Sequence, residues 1–496
     1  MTRKVTINRL TTGIPGLDKV LGGGLPEYSF NLLAGAPGSG KTTLAHQMMF
    51  NMASAERPAL YFTVLGELPL KMLRYQQQFD FFDEELIGQS IHFINLAEET
   101  FSGDLDLVLQ RIVAEVTAHG PALVFIDSFR AVVLASKTEG KRHSSLQLFV
   151  QQLGMLMTSW QATTFLIGEY FNVNDASPVF TVADGLIWLR QSVERNSMVR
   201  KLEIIKMRGQ PTVPGLHTYR ISTGKGIEVF APVASTVVAT DDAPADSRGP
   251  RLLMGIEQLD EMLDGGLPRG YSLLVAGPSG SGKSILATAF LAQGVRVGET
   301  GVIATFEQNP YRSRSPGLAD MISSGKVALV DSRAPDLSID ELALRIVNEI
   351  QRINATRVVI DSLSGFELSL APTFRADFRE AMSRMIRALA GTGATVLMTS
   401  ELEDRYTDLR FSPYGTAFLT DAIIVQRYIE VRSRLLRVMA VVKVRGSAHS
   451  DALRQFTIDD DGIHIGQVLD DQEGLLGGRP TATYRSDPPD SAVAKA

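Results

Sequence analysis

The chain has 496 residues, a net charge of −6, 44% hydrophobic residues and no cysteine. That length allows more than one globular domain. The absent thiols exclude disulfides, thiolate catalysis and zinc–thiolate sites, and the acidic balance gives no general basic field for nucleic acid.

In chain order, the first apolar segment is a predicted strand over 30–34. It runs into Gly35-Ala36-Pro37-Gly38-Ser39-Gly40-Lys41-Thr42, a GxxxxGK[ST] loop, with a helical pattern behind it. Glycines at these places let successive backbone N–H groups point at phosphate oxygens, and the helix adds its positive end. Gly35, Gly38, Ser39, Gly40, Lys41, Thr42 and Thr43 are therefore the candidate ATP-binding residues. Lys41 serves the β- and γ-phosphates, and the Thr42 hydroxyl serves Mg²⁺. His46, a lone histidine on this helix, reads as structural, as does His143. A strand over 59–63 leads to Leu65-Gly66-Glu67, where Glu67 is a candidate base for the attacking water. A strand over 91–96 and a helix over 104–119 come next. The strand over 123–126 then ends in Asp127, a candidate for the Mg²⁺ shell. Strands often end in Asp, so the weight comes from the loop upstream. After a helix over 142–160, a strand over 163–167 and a late strand over 202–206 comes Lys206-Met207-Arg208-Gly209. Lys206 and Arg208 lie far along the chain from the loop. They are candidate cations completing a neighbour's γ-phosphate site; the plainer reading is an exposed strand end.

Residues 231–250 are small, polar and Pro-containing, and read as a linker. Beyond them the chain repeats itself. GIEQLDEMLDGGLP from Gly255 matches GIPGLDKVLGGGLP from Gly13 at an offset of 242, ungapped through Lys283 and Lys41. Asp361 matches Asp127 at 234, and Lys443-Val444-Arg445-Gly446 matches the earlier KxRG at 237. The second copy has predicted strands over 273–276, 302–305, 327–330, 358–360, 395–398 and 438–442. Its ATP-binding candidates are Gly277, Gly280, Ser281, Gly282, Lys283, Ser284 and Ile285. Ser284 and Asp361 are its Mg²⁺ candidates, and Glu307, Lys443 and Arg445 its catalytic ones. Ungapped, Glu307 faces Leu65, so Glu67 requires a two-residue shift, in the direction of the later fall in offset. The run Tyr311-Arg312-Ser313-Arg314-Ser315 reads as a solvated helix start. The tail, 467–496, is expected to be disordered. The layout is thus domain 1–230, linker, domain 251–466, tail. Strands alternating with helices predict α/β domains with mostly parallel central sheets and helices on both faces. No apolar run reaches the ~20 residues of a membrane span. Met1-Thr2-Arg3-Lys4-Val5-Thr6 lacks a signal peptide's apolar stretch. A cytoplasmic protein with no membrane partner is expected.

With the doubled GxxxxGK[ST], the GxxxLDxxLxGGLP lead-ins, the IDS strand ends and both KxRG elements in view, the chain resembles the KaiC family over residues 10–466. These are double-domain RecA-like P-loop NTPases. The resemblance implies a homohexamer of two stacked rings, MgATP at subunit interfaces, slow ATP hydrolysis and regulatory protein partners. In clock members it also implies autophosphorylation of a Ser-Thr pair in the second domain. Two features depart from that pattern. Clock members carry paired glutamates after the second strand, where this chain has Glu307-Gln308 and Leu65-Gly66-Glu67. Counting back from Thr420-Asp421, the phosphorylation positions hold Ala417 and Phe418. Ser412, Thr416 and Thr420 are hydroxyls placed elsewhere. The leading expectation is an ATPase whose nucleotide state sets ring shape and partner binding. A Ser/Thr autokinase, a RecA- or DnaB-like DNA motor and a nucleotide-gated scaffold are the alternatives.

Overall fold

The computed structural model describes residues 7–64, 69–135, 142–172, 177–194, 197–233, 250–306, 317–332, 337–370, 378–402, 419–431, 433–469, 472–473 and 481–482. The chain divides into two compact units, Met1–Ala231 and Pro232–Ala496.

In the first unit the central strand β1 (Phe30–Gly35) is buried along its whole length, as a strand covered on both faces must be. The loop after it feeds helix α1 (Lys41–Met52). There follow β2 (Ala59–Thr63), β3 (Ile91–Asn95), helix α2 (Leu105–His119), β4 (Leu123–Asp127), helix α3 (Arg142–Ser159) and β5 (Thr163–Glu169). Four further strands, β6 (Gly185–Glu194), β7 (Ser197–Met207), β8 (Leu216–Ser222) and β9 (Gly226–Phe230), complete a nine-stranded sheet of order β9-β8-β7-β6-β1-β5-β4-β2-β3. The strands from β6 to β3 pair in parallel, and β6–β7, β7–β8 and β8–β9 pair antiparallel.

Alternation along the strands sends neighbouring side chains to opposite faces. Leu33 and Ile167 pack with Leu44 and Met48 of α1. Leu32 and Leu166 pack with Ile112 of α2 and Leu153 of α3. Helices therefore cover both faces, as the alternation of elements predicted.

The second unit repeats this plan. Its elements are β10 (Ser272–Gly277), α4 (Lys283–Arg296), β11 (Gly301–Thr305), β12 (Val327–Asp331), α5 (Ile339–Ile353), β13 (Arg357–Asp361), α6 (Phe378–Ala390), β14 (Thr395–Glu401), β15 (Ala422–Val431), β16 (Arg434–Val444), β17 (Arg454–Asp459) and β18 (Gly462–Val468). Its sheet order is β12-β11-β13-β14-β10-β15-β16-β17-β18.

The late strands are longer than the apolar patterns at 202–206 and 438–442 predicted, because β6–β7 and β15–β16 form long antiparallel hairpins. Ladder pairing extends these strands into segments whose side chains are too polar to announce themselves. Within 467–496, expected as a disordered tail, Gln472–Glu473 pairs antiparallel with Thr481–Ala482.

Candidate active site

Both GxxxxGK[ST] loops leave the carboxyl end of the central strand and open a helix. Gly40 and Gly282 precede those helices in the left-handed region, at φ 89° and 99°, a conformation that disfavours any side chain. A Cβ on Gly35 would lie 2.2 Å from the carbonyl oxygen of Leu189, and one on Gly277 2.8 Å from that of Gln426. These glycines are thus required by close backbone approach. Neither α1 nor α4 has a side-chain N-cap, whereas α2 is capped by Asp104 and α5 by Ser338. The first N–H groups of α1 and α4 therefore remain available to an anion, in the arrangement that binds phosphate. Ser39 Oγ is buried with no hydrogen-bond partner.

A cleft of about 480 Å³ opens over the first loop, lined among others by Gly38, Gly40, Lys41, Thr42, Thr43, Asp127 and Glu169. The Lys41 ammonium donates to Ala36 O at 2.9 Å. Burial lowers its pKa, against the charges of Glu169 and Asp127. In the second unit, Lys283 donates to Gly277 O at 2.9 Å and Pro278 O at 2.7 Å. Ile285 packs its side chain against the core, which leaves its backbone N–H as the group able to meet phosphate.

The structure brings Thr42 and Asp127 together: the Thr42 hydroxyl donates to Asp127 Oδ2 at 2.8 Å. The Tyr61 hydroxyl donates to the same oxygen at 2.8 Å. Burial raises the Asp127 pKa, and the bonds from Tyr61 and Thr42 and the Lys41 charge oppose that. The second unit is built differently. Asp361 accepts from the Thr399 hydroxyl on β14, and no hydrogen bond joins it to Ser284. Tyr61 of β2 corresponds to Ile303 of β11, and Thr399 corresponds to Ile167 of β5. The polar support of the carboxylate has moved from one neighbouring strand to the other.

The KxRG cations sit elsewhere. Lys206 donates to Phe180 O at 3.3 Å and Thr181 O at 3.1 Å, and Arg208 pairs with Asp184 at 3.1 Å. Lys443 donates to Thr420 O at 2.6 Å, and Arg445 pairs with Asp421 at 3.3 Å. Burial lowers both lysine pKa values, helped by the neighbouring arginine and opposed by the aspartate. Each aspartate also caps the start of the central strand. Asp184 accepts from Phe30 N at 3.1 Å, and Asp421 from Ser272 N at 3.0 Å and its hydroxyl at 2.7 Å. Arg208 and Arg445 therefore lie at the amino end of the strand whose carboxyl end carries the loop.

Glu67 and Glu307 lie outside the described residues, as do 311–315, Ser412, Thr416, Ala417 and Phe418. Thr420 is fully buried. His46 is buried against the rings of Tyr61 and Phe93, which is the structural placement read from the sequence. Three features escaped sequence reasoning: Tyr61 and Thr399, the Asp184–Arg208 and Asp421–Arg445 pairs, and Glu169 with Glu401. The last had a visible signal, since a carboxylate ends the same apolar strand in both copies.

These residues fit MgATP. The glycine cradle excludes side chains, the helix starts are uncapped, and a hydroxyl adjoins a carboxylate beside a lysine. Among the described residues no group of three or more His, Asp or Glu could hold a metal by itself. Mg²⁺, which favours one or two carboxylates together with substrate phosphates, needs none. Among the described residues no helix is long and apolar enough to cross a membrane.

A family model described as "ATPase: KaiC" matches residues 10–234 and again 252–470. The chain is similar to the circadian clock protein KaiC3 of Synechocystis sp., 28% identical over 498 residues covering 97% of this chain and 96% of that one. It is also similar to the circadian clock oscillator proteins KaiC of Picosynechococcus sp. and Rippkaea orientalis. Each is 26% identical over 489 residues, which cover 96% of this chain and 93% and 92% of theirs.

Proposed function

Because the chain belongs to the KaiC ATPase family, we propose that each unit binds MgATP on its P-loop and hydrolyses it at an interface with a neighbouring copy, in a homo-oligomeric ring whose nucleotide state governs conformation and the binding of regulatory proteins. The observation that carries this reading is the separation of the cations from their own loop. Arg208 is held at the Phe30 end of β1 and the loop leaves at Gly35. Five residues of strand at ~3.3 Å each put ~17 Å between them, and the same five steps separate Ser272 from Gly277. That distance exceeds an arginine's reach. A cation so placed serves a phosphate bound outside its own unit or none.

In this reading the backbone N–H groups of Gly38 through Thr43, and of Gly280 through Ile285, cradle the phosphates, and Lys41 and Lys283 neutralise the β- and γ-oxygens. Thr42 with Asp127, and Ser284 with Asp361, hold the Mg²⁺ shell. Mg²⁺, when bound, supplies charge neutralisation at the transferring phosphoryl group. Glu67 and Glu307 orient the attacking water, and Lys206, Arg208, Lys443 and Arg445 of the adjoining copy stabilise the developing charge.

Mixing variants tests the trans arrangement. An Arg208→Ala/Arg445→Ala chain and a Lys41→Ala/Lys283→Ala chain should each be nearly inactive. Co-assembled, they should regain part of wild-type phosphate release, since some interfaces acquire both intact halves. Absence of rescue in demonstrably mixed assemblies refutes trans action.

A further inference from the structure

We propose that Glu169 and Glu401 are proton acceptors for the attacking water, each standing at the carboxyl end of the strand that pairs with the loop's own strand; this inference rests on the hydrolytic reading above. Glu169 is the last residue of β5 and pairs in register with Gly35, the first glycine of the loop. Glu401 ends β14 and pairs in the same register with Gly277. Six residues of each strand are buried before the glutamate emerges, so the strand fixes where the side chain starts. Glu169 enters the cleft beside Lys41, close enough for its charge to act on both Lys41 and Asp127. Its carboxylate makes no hydrogen bond or ion pair among the described residues, and the same holds for the Glu401 carboxylate, whose residue is tied down instead by its backbone N–H donating to Ser364 Oγ at 3.1 Å.

The chemistry leaves few candidates for this task. Hydrolysis forms a bond between the water oxygen and the γ-phosphorus. It breaks the bond from phosphorus to the bridging oxygen, whose electron pair leaves with ADP, and a water proton must go to a base. Among the described lining residues of the first cleft there are two carboxylates, Asp127 and Glu169. Asp127 already accepts from Thr42 and Tyr61 and belongs to the metal shell. Lys41 is a donor only, and the hydroxyls of Thr42, Thr43 and Ser128 are too weakly basic. Glu169 is the uncommitted acceptor, and after the step its proton passes to solvent through the open mouth of the cleft.

The experiment compares wild type, Glu169→Gln/Glu401→Gln and Glu169→Asp/Glu401→Asp. It measures phosphate release, bound nucleotide per chain, and the identity of that nucleotide after acid release. The Gln variant should lose about 10²-fold in turnover, in the range of a general base, while retaining wild-type nucleotide stoichiometry. Its bound nucleotide should be recovered as ATP where the wild type yields ADP. The Asp variant, which keeps the charge but shortens its reach, should fall between them. Turnover of the Gln variant within about threefold of wild type overturns the inference and leaves the hydrolytic reading standing. Loss of nucleotide from both variants would assign the glutamates to cleft structure and also overturn it. A wild type that releases no phosphate sinks both readings.

Discussion

At the scale of single residues, the first unit concentrates buried ionisable groups around its loop. Burial pushes the His46 imidazole down to about 3, against the raising effect of the Gln76 amide. An unfolded histidine has a pKa near 6.5. The folded value is depressed, so the unfolded chain binds the proton first as pH falls. The stability from the neutral ring is complete above about pH 6.5 and is lost progressively towards pH 3. His46→Met keeps an apolar side chain of similar bulk between Tyr61 and Phe93 and removes the titration. Denaturant midpoints of the first unit should fall between pH 6.5 and 4.5 in the wild type by the equivalent of roughly 2 kcal/mol, and much less in the variant. Equal slopes would show that His46 does not titrate on unfolding. Asp127 was legible from its place at the end of an apolar strand. Its Tyr61 support was not, because that bond crosses between strands 66 residues apart in sequence. A tyrosine inside an apolar strand looks like core until the neighbouring strand is known. The exchange of Tyr61 for Thr399 between the copies was hidden for the same reason: each polar residue aligns with an isoleucine, so the repeat itself masks the shared task.

Among the elements, the two P-loops, the strands of the parallel core and the repeat were readable because glycine spacing and apolar runs are local signals. The antiparallel extensions were only half readable, since ladder pairing carries β7 and β16 well beyond their apolar centres. The pinning of β13 was not visible at all. Arg357 begins this strand, is 2% exposed, and donates to Glu299 at 2.7 Å and to the carbonyls of Leu253 and Phe290 at 2.9 Å. Glu299 pairs in addition with Arg269. In the sequence Arg357 is merely a basic residue before an apolar run. Its removal takes a donor from the Leu253 and Phe290 carbonyls and one of two partners from Glu299, and hydrogen bonds to a charged group are worth about 1.5–3 kcal/mol each. Arg357→Met should therefore unfold the second unit at markedly lower denaturant. The chain's two tryptophans, Trp160 and Trp188, both belong to the first unit. Their emission should keep its wild-type midpoint while the far-ultraviolet circular dichroism transition splits. A tryptophan transition that shifts with the dichroism would mean that the units unfold as one.

At the scale of the molecule, the shared strand order of the two sheets means that any surface the fold creates it creates twice. The polarity of each sheet also has a consequence for how activity scales with assembly. In the proposed arrangement each subunit donates cations at one end of its central strand and receives them at the other. Such contacts are heterologous, joining head to tail, and close into a ring only when the rotation permits. In an open row of n subunits, n − 1 loops of each of the two kinds are complete and one end always lacks its donors. A lone chain completes none, and closure completes the last. Turnover per subunit should therefore vanish on dilution to monomers, climb with row length and level off at closure, while nucleotide binding per subunit changes far less. Phosphate release followed across a dilution series beside light scattering measures this curve directly. Turnover per chain that stays constant down to monomer would mean that each subunit is complete alone.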